Sequence, residues 1–157
     1  MGRLGSAFIH AGVWLGLGLL LYVFFLRQAT PPVRVDGPGH VELSRARDGH
    51  FRIDGAIQGE PVRFLIDTGA STVSVSGSLA RRAGIDCRTP STFNTANGIV
   101  QGCMGRAARL DFGPFSIENV SVAILPKLAS DALLGMNALR HLRLEQTGNT
   151  LRLSRGD

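Results

Sequence analysis

The chain has 157 residues, 44% of them hydrophobic and 18% charged, with a net charge of +5. That length allows one ordinary domain and excludes two full lobes, each with its own core. The charge sits mostly on arginines scattered singly, with no basic run beside exposed aromatics, so it reads as solvated faces plus some membrane-surface attraction, and no nucleic-acid partner is expected.

The first element is the run "AFIHAGVWLGLGLLLYVFFL", residues 7–26, in which only His10 is clearly polar. Twenty helical residues span roughly 30 Å, the thickness of a bilayer core, and the run shows no polar face. The following "RQATPPVRV" offers no small-residue cleavage site, so the sequence predicts an uncleaved transmembrane anchor over 1–27, with residues 7–26 in lipid. Residues 28–39 carry Pro31, Pro32 and Pro38 and predict a stiff, extended spacer. A folded domain is expected over 40–157.

That domain is rich in short strand signals. "FRIDGAI" and "PVRFLI" alternate apolar residues and are joined by "QGE", which predicts a hairpin. "STVSV" and "NVSVAIL" add strands, and "LRLE" and "LRLS" flank "QTGN" as a second hairpin. Two stretches carry helical signals. "SGSLARRAGI" has room for two turns capped by Ser76 or Ser78, and "SDALLGMNALRHL" predicts one short helix starting from Ser130 or Asp131. The sum is a mostly β domain of about eight strands with one convincing helix, closed as a barrel or stacked as a sandwich.

The most informative stretch is "FLIDTGAS", Phe64 to Ser71. Asp67 leaves the end of an apolar strand, where an ionised carboxylate is costly unless donors hold it. Thr68 and Ser71 offer hydroxyls, and Gly69 lets the backbone turn its N–H groups toward the acid. By itself, Asp-Thr-Gly is also a plain chain reversal. Two cysteines, Cys87 and Cys103, form no C-x-x-C, and the four histidines are dispersed, so no metal site or cofactor is expected.

Three stretches in order resemble the retropepsin-like aspartic proteases, single-lobe relatives of pepsin that work as homodimers. "FLIDTGAS" resembles the catalytic loop, with Asp67, Thr68, Gly69, Ala70 and Ser71 matching. "NTANGIVQG" is similar to the flap hairpin, with Ala96, Asn97 and Gly98 at its tip and Ile99 beside it. "ALLGMNAL" is similar to the segment that leads into the single helix, with Leu133, Leu134, Gly135 and Asn137 in matching places. The flap and "LLGMN" wording is nearest to a membrane-anchored bacterial branch.

The resemblance implies a single-lobe closed β-barrel with one short helix, and an aspartic endopeptidase. Asp67 would be the catalytic acid, Thr68 to Ser71 the rest of the active-site loop, Ala96 to Ile99 the substrate-binding flap, and Leu134, Gly135 and Asn137 supporting residues. Peptide hydrolysis of this kind needs two carboxyls sharing a water and a proton. This chain supplies one Asp-Thr-Gly, so a homodimer would pair Asp67 with its copy. The substrate would be an extended peptide or protein segment near the bilayer, with Ile99, Val100, Leu125 and Leu128 as candidate pocket residues. The alternatives are a peptide-binding module of the same fold that does not cut, and a structural envelope protein whose Asp-Thr-Gly is only a turn. With the flap tip at Asn97–Gly98, mirror pairing sets Cys103 opposite about Thr92, and Cys87 falls roughly 16 Å further along the strand. Free thiols are therefore expected unless the chain doubles back before Thr89. The arginine count around the apolar run favours a cytoplasmic domain, whereas the family branch implies the far side. The reading adopted is a single-pass inner-membrane protein with a periplasmic domain.

Overall fold

The computed structural model describes residues 3–26, 39–128 and 130–156, with the side chains of the first helix described over 12–24. It divides into two units, Met1–Pro31 and Pro32–Asp157. The first contains helix α1 (Arg3–Leu26). Among the described residues, no helix is long and apolar enough to cross a membrane. This overturns the expected single-pass inner-membrane location with a periplasmic domain. Nearly all of the predicted spacer, residues 28–38, lies outside the described residues.

Among its described residues the second unit holds ten strands and two short helices. In chain order these are β1 (His40–Ser44), β2 (Arg52–Ile57), β3 (Glu60–Ile66), β4 (Val73–Ser76), α2 (Gly77–Arg82), β5 (Thr89–Thr95), β6 (Gly98–Phe112), β7 (Phe115–Leu125), β8 (Ala132–Leu134), α3 (Met136–Leu139), β9 (Leu142–Thr147) and β10 (Thr150–Arg155). Six strands close on themselves in the order β2-β3-β8-β4-β7-β6, with β6 pairing back to β2, and β5 extends from β6. The expected closed barrel is therefore present, with two short helices in place of one.

Local sequence explains the joints. Gln58 and Gly59 both take left-handed backbone (φ 52 and 83), making the two-residue primed turn that matches the twist of β2 and β3. Ser76 caps α2 by accepting the Leu79 N–H at 3.2 Å. Inside the ring, Phe64, Phe112, Ile53, Ile57, Leu110, Leu134 and Val73 are fully buried. The faces of β6 and β7 swap near Ala108: Cys103 and Ala107 point inward before it, Leu110 and Phe112 after it. Asn119, opposite Ala108, takes left-handed backbone (φ 55), and the Ala108 N–H donates to the Gln58 side-chain oxygen at 3.0 Å.

Two further expectations change. The predicted helix from Ser130 or Asp131 is instead a strand followed by a helix. Residues 132–134 pair with both β3 and β4, and α3 begins only after Gly135, which has extended backbone. The cysteines are bonded: Cys87 and Cys103 form a disulfide with Cα atoms 5.5 Å apart. Cys103 stands opposite Pro90, two residues nearer Cys87 than mirror pairing predicts. The chain does double back before Thr89, since the Arg88 N–H donates to the Met104 carbonyl at 2.9 Å.

The remaining strands form a separate three-stranded sheet, β1-β10-β9. Val41, Leu43, Leu151 and Leu153 turn its inner face into the same core as the ring.

Candidate active site

Asp67 follows the last residue of β3. Its backbone N–H donates to the Leu134 carbonyl at 3.1 Å, so the parallel pairing of β3 with β8 runs straight into the loop. The chain then reverses: the Ala70 N–H reaches the Asp67 carbonyl at 3.3 Å, and the Gly69 N–H donates to the Asp67 carboxylate at 2.9 Å. Among the described residues that N–H is the only donor to the carboxylate; the Thr68 and Ser71 hydroxyls, expected as donors, do not reach it. Asp67 is half-buried, while Thr68, Gly69 and Ser71 are exposed.

The loop is clamped from below by the start of α3. Met136 N–H donates to the Ala70 carbonyl at 2.7 Å, and Asn137 N–H to the Ser71 carbonyl at 3.0 Å. The Asn137 side chain ties two strands together. Its oxygen accepts the Val73 N–H at 2.8 Å, and its amide donates to the Ser121 carbonyl at 2.8 Å. Gly135 is required for contact: a Cβ there would fall 2.5 Å from the Thr72 backbone and 2.9 Å from the Ala70 carbonyl oxygen. The structure thus brings Asp67, Thr68, Gly69, Ala70, Ser71, Leu134, Gly135 and Asn137 into one assembly.

The other expected site residues belong to the β5–β6 hairpin. Thr95 and Gly98 pair across the loop Ala96–Asn97, and Gly98 carries left-handed backbone (φ 101). The Thr95 hydroxyl donates to the Gly98 carbonyl at 2.8 Å and accepts the Asn97 N–H at 3.2 Å, which fixes the tip. Ile99 is 75% exposed, unusual for an isoleucine with no covering partner.

An open cavity of about 290 Å³ borders the loop, lined by Thr68, Gly69, Ser71, Met136, Asn137 and Arg140. Sequence reasoning missed Met136 and Arg140. The signal available was their four-residue spacing, which sets them on one face of a helical turn. A second concavity, about 210 Å³, lies by the Gln58 turn and is lined by Asp86, Arg88 and Arg106 among others. Its Gln58 amide is already bonded to the Ala83 carbonyl at 2.7 Å.

Other carboxylates are committed elsewhere. Asp54 pairs with Arg63 at 2.6 Å. Asp111 is held below the usual carboxylate range by its hydrogen bond to Arg109, and Asp48 likewise by Arg52. Asp67 has no arginine partner of this kind among the described residues. Nor, among them, do three His, Cys, Asp or Glu side chains gather as a metal site would require.

The family model for the "gag-polyprotein putative aspartyl protease" matches residues 53–141, more than half of the chain, including the loop, α3 and all of the ring but the first residue of β2. The chain belongs to that aspartic protease family. Among solved structures, this retropepsin-like domain is similar to a retropepsin-like aspartic protease from Rickettsia conorii, with 27% identity and a TM-score of 0.66, covering 74% of this chain and 91% of that one. It shares its fold with the EIAV protease in an inhibitor complex, at 16% identity and a TM-score of 0.50, over 57% of this chain and 84% of that one. Among curated proteins, it is 29% identical over 149 residues to an uncharacterized protein in the cobV 5' region of Sinorhizobium sp., covering 90% of this chain and 63% of that protein. An uncharacterized protein of Rickettsia prowazekii (strain Madrid E) is 33% identical over 63 residues, covering 38% of this chain and 27% of that protein. The retropepsin-like chain therefore spans less than two thirds of the length of these curated relatives.

Proposed function

We propose that residues 40–157 form an aspartic endopeptidase that acts as a homodimer on extended peptide segments, with Asp67 of each subunit facing its copy. The observation that carries this reading is the single Asp-Thr-Gly loop, half-exposed and clamped by β8 and α3 in a chain of the aspartic protease family. One carboxylate takes a proton from a shared water as its oxygen bonds to the scissile carbonyl carbon. The other carboxyl, protonated, donates to the carbonyl oxygen. Collapse of that intermediate breaks the C–N bond: the departing nitrogen takes the proton that the first carboxyl drew from water, and a hydroxyl of the intermediate returns a proton to the second carboxyl as the new carboxylic acid forms. Thr68 braces the two loops, Gly69 and Ala70 leave room for a peptide backbone, and Ser71 closes the loop.

The hairpin tip, Ala96 to Ile99, acts as the flap. Its small residues let main-chain groups meet a strand-like substrate, and Ile99 covers the cleft when a peptide binds. Leu134, Gly135 and Asn137 hold the loop in register. Both curated relatives come from bacteria, which supports placing the chain in a bacterial branch of the family.

The test is cleavage of a mixed peptide library by the full-length chain. Asp67→Asn is expected to abolish cutting while leaving circular dichroism and oligomeric state unchanged. Binding of peptides by the wild type without any cleavage would refute the endopeptidase reading in favour of a peptide-binding module.

A further inference from the structure

Among the described residues, two non-glycine positions have left-handed backbone, Gln58 (φ 52) and Asn119 (φ 55). Both line the concavity of about 210 Å³ beside the β2–β3 turn. Such backbone is disfavoured for residues with a Cβ, and it gathers where a surface is shaped for a ligand. The walls around it are fixed. The Gln58 side chain donates to the Ala83 carbonyl at 2.7 Å and accepts the Ala108 N–H at 3.0 Å. Gly105 lets the segment after α2 lie against β6, since a Cβ there would meet the Asp86 carbonyl oxygen at 2.8 Å. Cys87, between Asp86 and Arg88, is bonded to Cys103 in β6, and the Arg88 N–H donates to the Met104 carbonyl at 2.9 Å. Arg106 is aimed by one bond, from Nη1 to the Asn119 carbonyl at 3.1 Å, which leaves most of its guanidinium open.

The charges in this frame are not matched with one another. Elsewhere on the domain arginines answer carboxylates: Arg52, Arg63, Arg82, Arg109 and Arg143 each pair with one. Among the described residues, the side chains of Arg88 and Asp86 have no such partner, and Arg106 has only the carbonyl. Two guanidiniums and one carboxylate thus line one small space. We propose that this concavity binds an α-carboxylate together with its adjacent nitrogen, as found in a free amino acid or at the last residue of a peptide. Arg88 and Arg106 take the carboxylate, because their planar forks match its two oxygens. Asp86 accepts from the neighbouring N–H, a group that an inorganic anion lacks, and its charge opposes the larger charge of a phosphate. The space lies below the roughly 300–1,000 Å³ of pockets for drug-sized ligands, which suits one small residue.

The site is distinct from the Asp67 loop. Gln58 precedes β3 and Asp67 follows it, so the length of that strand, about 20 Å, lies between them. Binding at this end of the ring does not rest on the protease reading and holds whether or not the chain cuts peptides.

The test uses the full-length chain carrying Asp67→Asn, so that peptides survive the titration. Calorimetry is expected to show saturable binding of glycine or triglycine, with the matching amide, glycinamide or triglycinamide, weaker by about tenfold or more. Triglycine bound at least as tightly as glycine assigns the site to peptide ends, and glycine bound more tightly assigns it to free amino acids. Arg88→Gln and Arg106→Gln are each expected to raise the dissociation constant about tenfold or more. Arg152→Gln, which removes the same charge from β10, should leave it unchanged. Asp86→Asn should weaken the glycine or triglycine complex without weakening binding of inorganic phosphate. Circular dichroism checks that each variant folds. No saturable binding of either probe, an amide bound as well as its acid, phosphate preferred over both probes, or an equal loss in Arg152→Gln would each overturn the proposal. So would a folded Asp86→Asn chain that binds glycine and triglycine as before.

Discussion

Asn137 shows how much one side chain fixes here. Its oxygen and its amide nitrogen hold Val73 and Ser121, while its backbone N–H holds Ser71, so β4, β7 and the loop share one anchor. Removing the side chain leaves two backbone groups unpartnered in a partly buried site, at a cost of about 1–3 kcal/mol each before relaxation or water recovers some of it. Asn137→Ala is expected to lower unfolding stability by about 2–4 kcal/mol in urea titration. Asn137→Asp retains the acceptor for Val73 and loses the donor to Ser121, so it should fall between the two. A change under the error of the titration would show that the anchor contributes nothing. Gly135 poses the sharper constraint. Any Cβ there meets backbone, which cannot swing aside as a side-chain tip can. These residues could be picked out in the sequence because "LLGMN" follows "FLIDTGAS" in the order and spacing that the family resemblance implies. The bonds to Val73 and Ser121 could not, since they join positions 64 and 16 residues away.

At the scale of elements, hairpins with strong turn chemistry were readable and long-range pairings were not. The β2–β3 and β9–β10 hairpins followed from Gln-Gly and Gly-Asn between alternating strands. Residues 132–134 read as the start of a helix, because nothing local reveals that β3 and β4 flank them on both sides. Tertiary pairing overrode local preference. The cysteines failed for a related reason. Mirror pairing assumed a straight extension of β5, whereas the chain after α2 turns back so that Arg88 bonds Met104 and Cys87 meets Cys103. The bridge pins the segment after α2 to β6 at the base of the β5–β6 hairpin. It closes a loop of sequence separation 16, for which restriction of the unfolded chain is worth about 3 kcal/mol. Reduction by dithiothreitol, or Cys87→Ser with Cys103→Ser, is expected to lower stability by about that amount and to speed amide exchange in β5 ahead of β3. Equal exchange in both strands would mean the bridge does not govern the base of the β5–β6 hairpin.

For the whole molecule, the proposed function turns on arithmetic: one Asp-Thr-Gly per chain, and a proposed chemistry that uses two. The closed ring accounts for a single lobe, and the ion pairs of Asp54 and Asp111 leave neither free to serve as an internal second acid. If activity resides in pairs, it must respond to mixing. Let wild-type chains make up a fraction of a population otherwise carrying Asp67→Asn, and let subunits exchange at random. Only dimers with two wild-type chains cut, so turnover per wild-type chain falls in proportion to that fraction, to about half in an equal mixture. Dilution acts in the same direction, because specific activity drops as dimers dissociate. Steady-state cleavage across a mixing series, with total protein held constant, distinguishes the cases. A straight line through the origin supports one site built from two chains. Turnover per wild-type chain that ignores the variant, at concentrations where exchange is complete, would show that a single lobe cuts unaided and that Asp67 acts with an acid from its own chain.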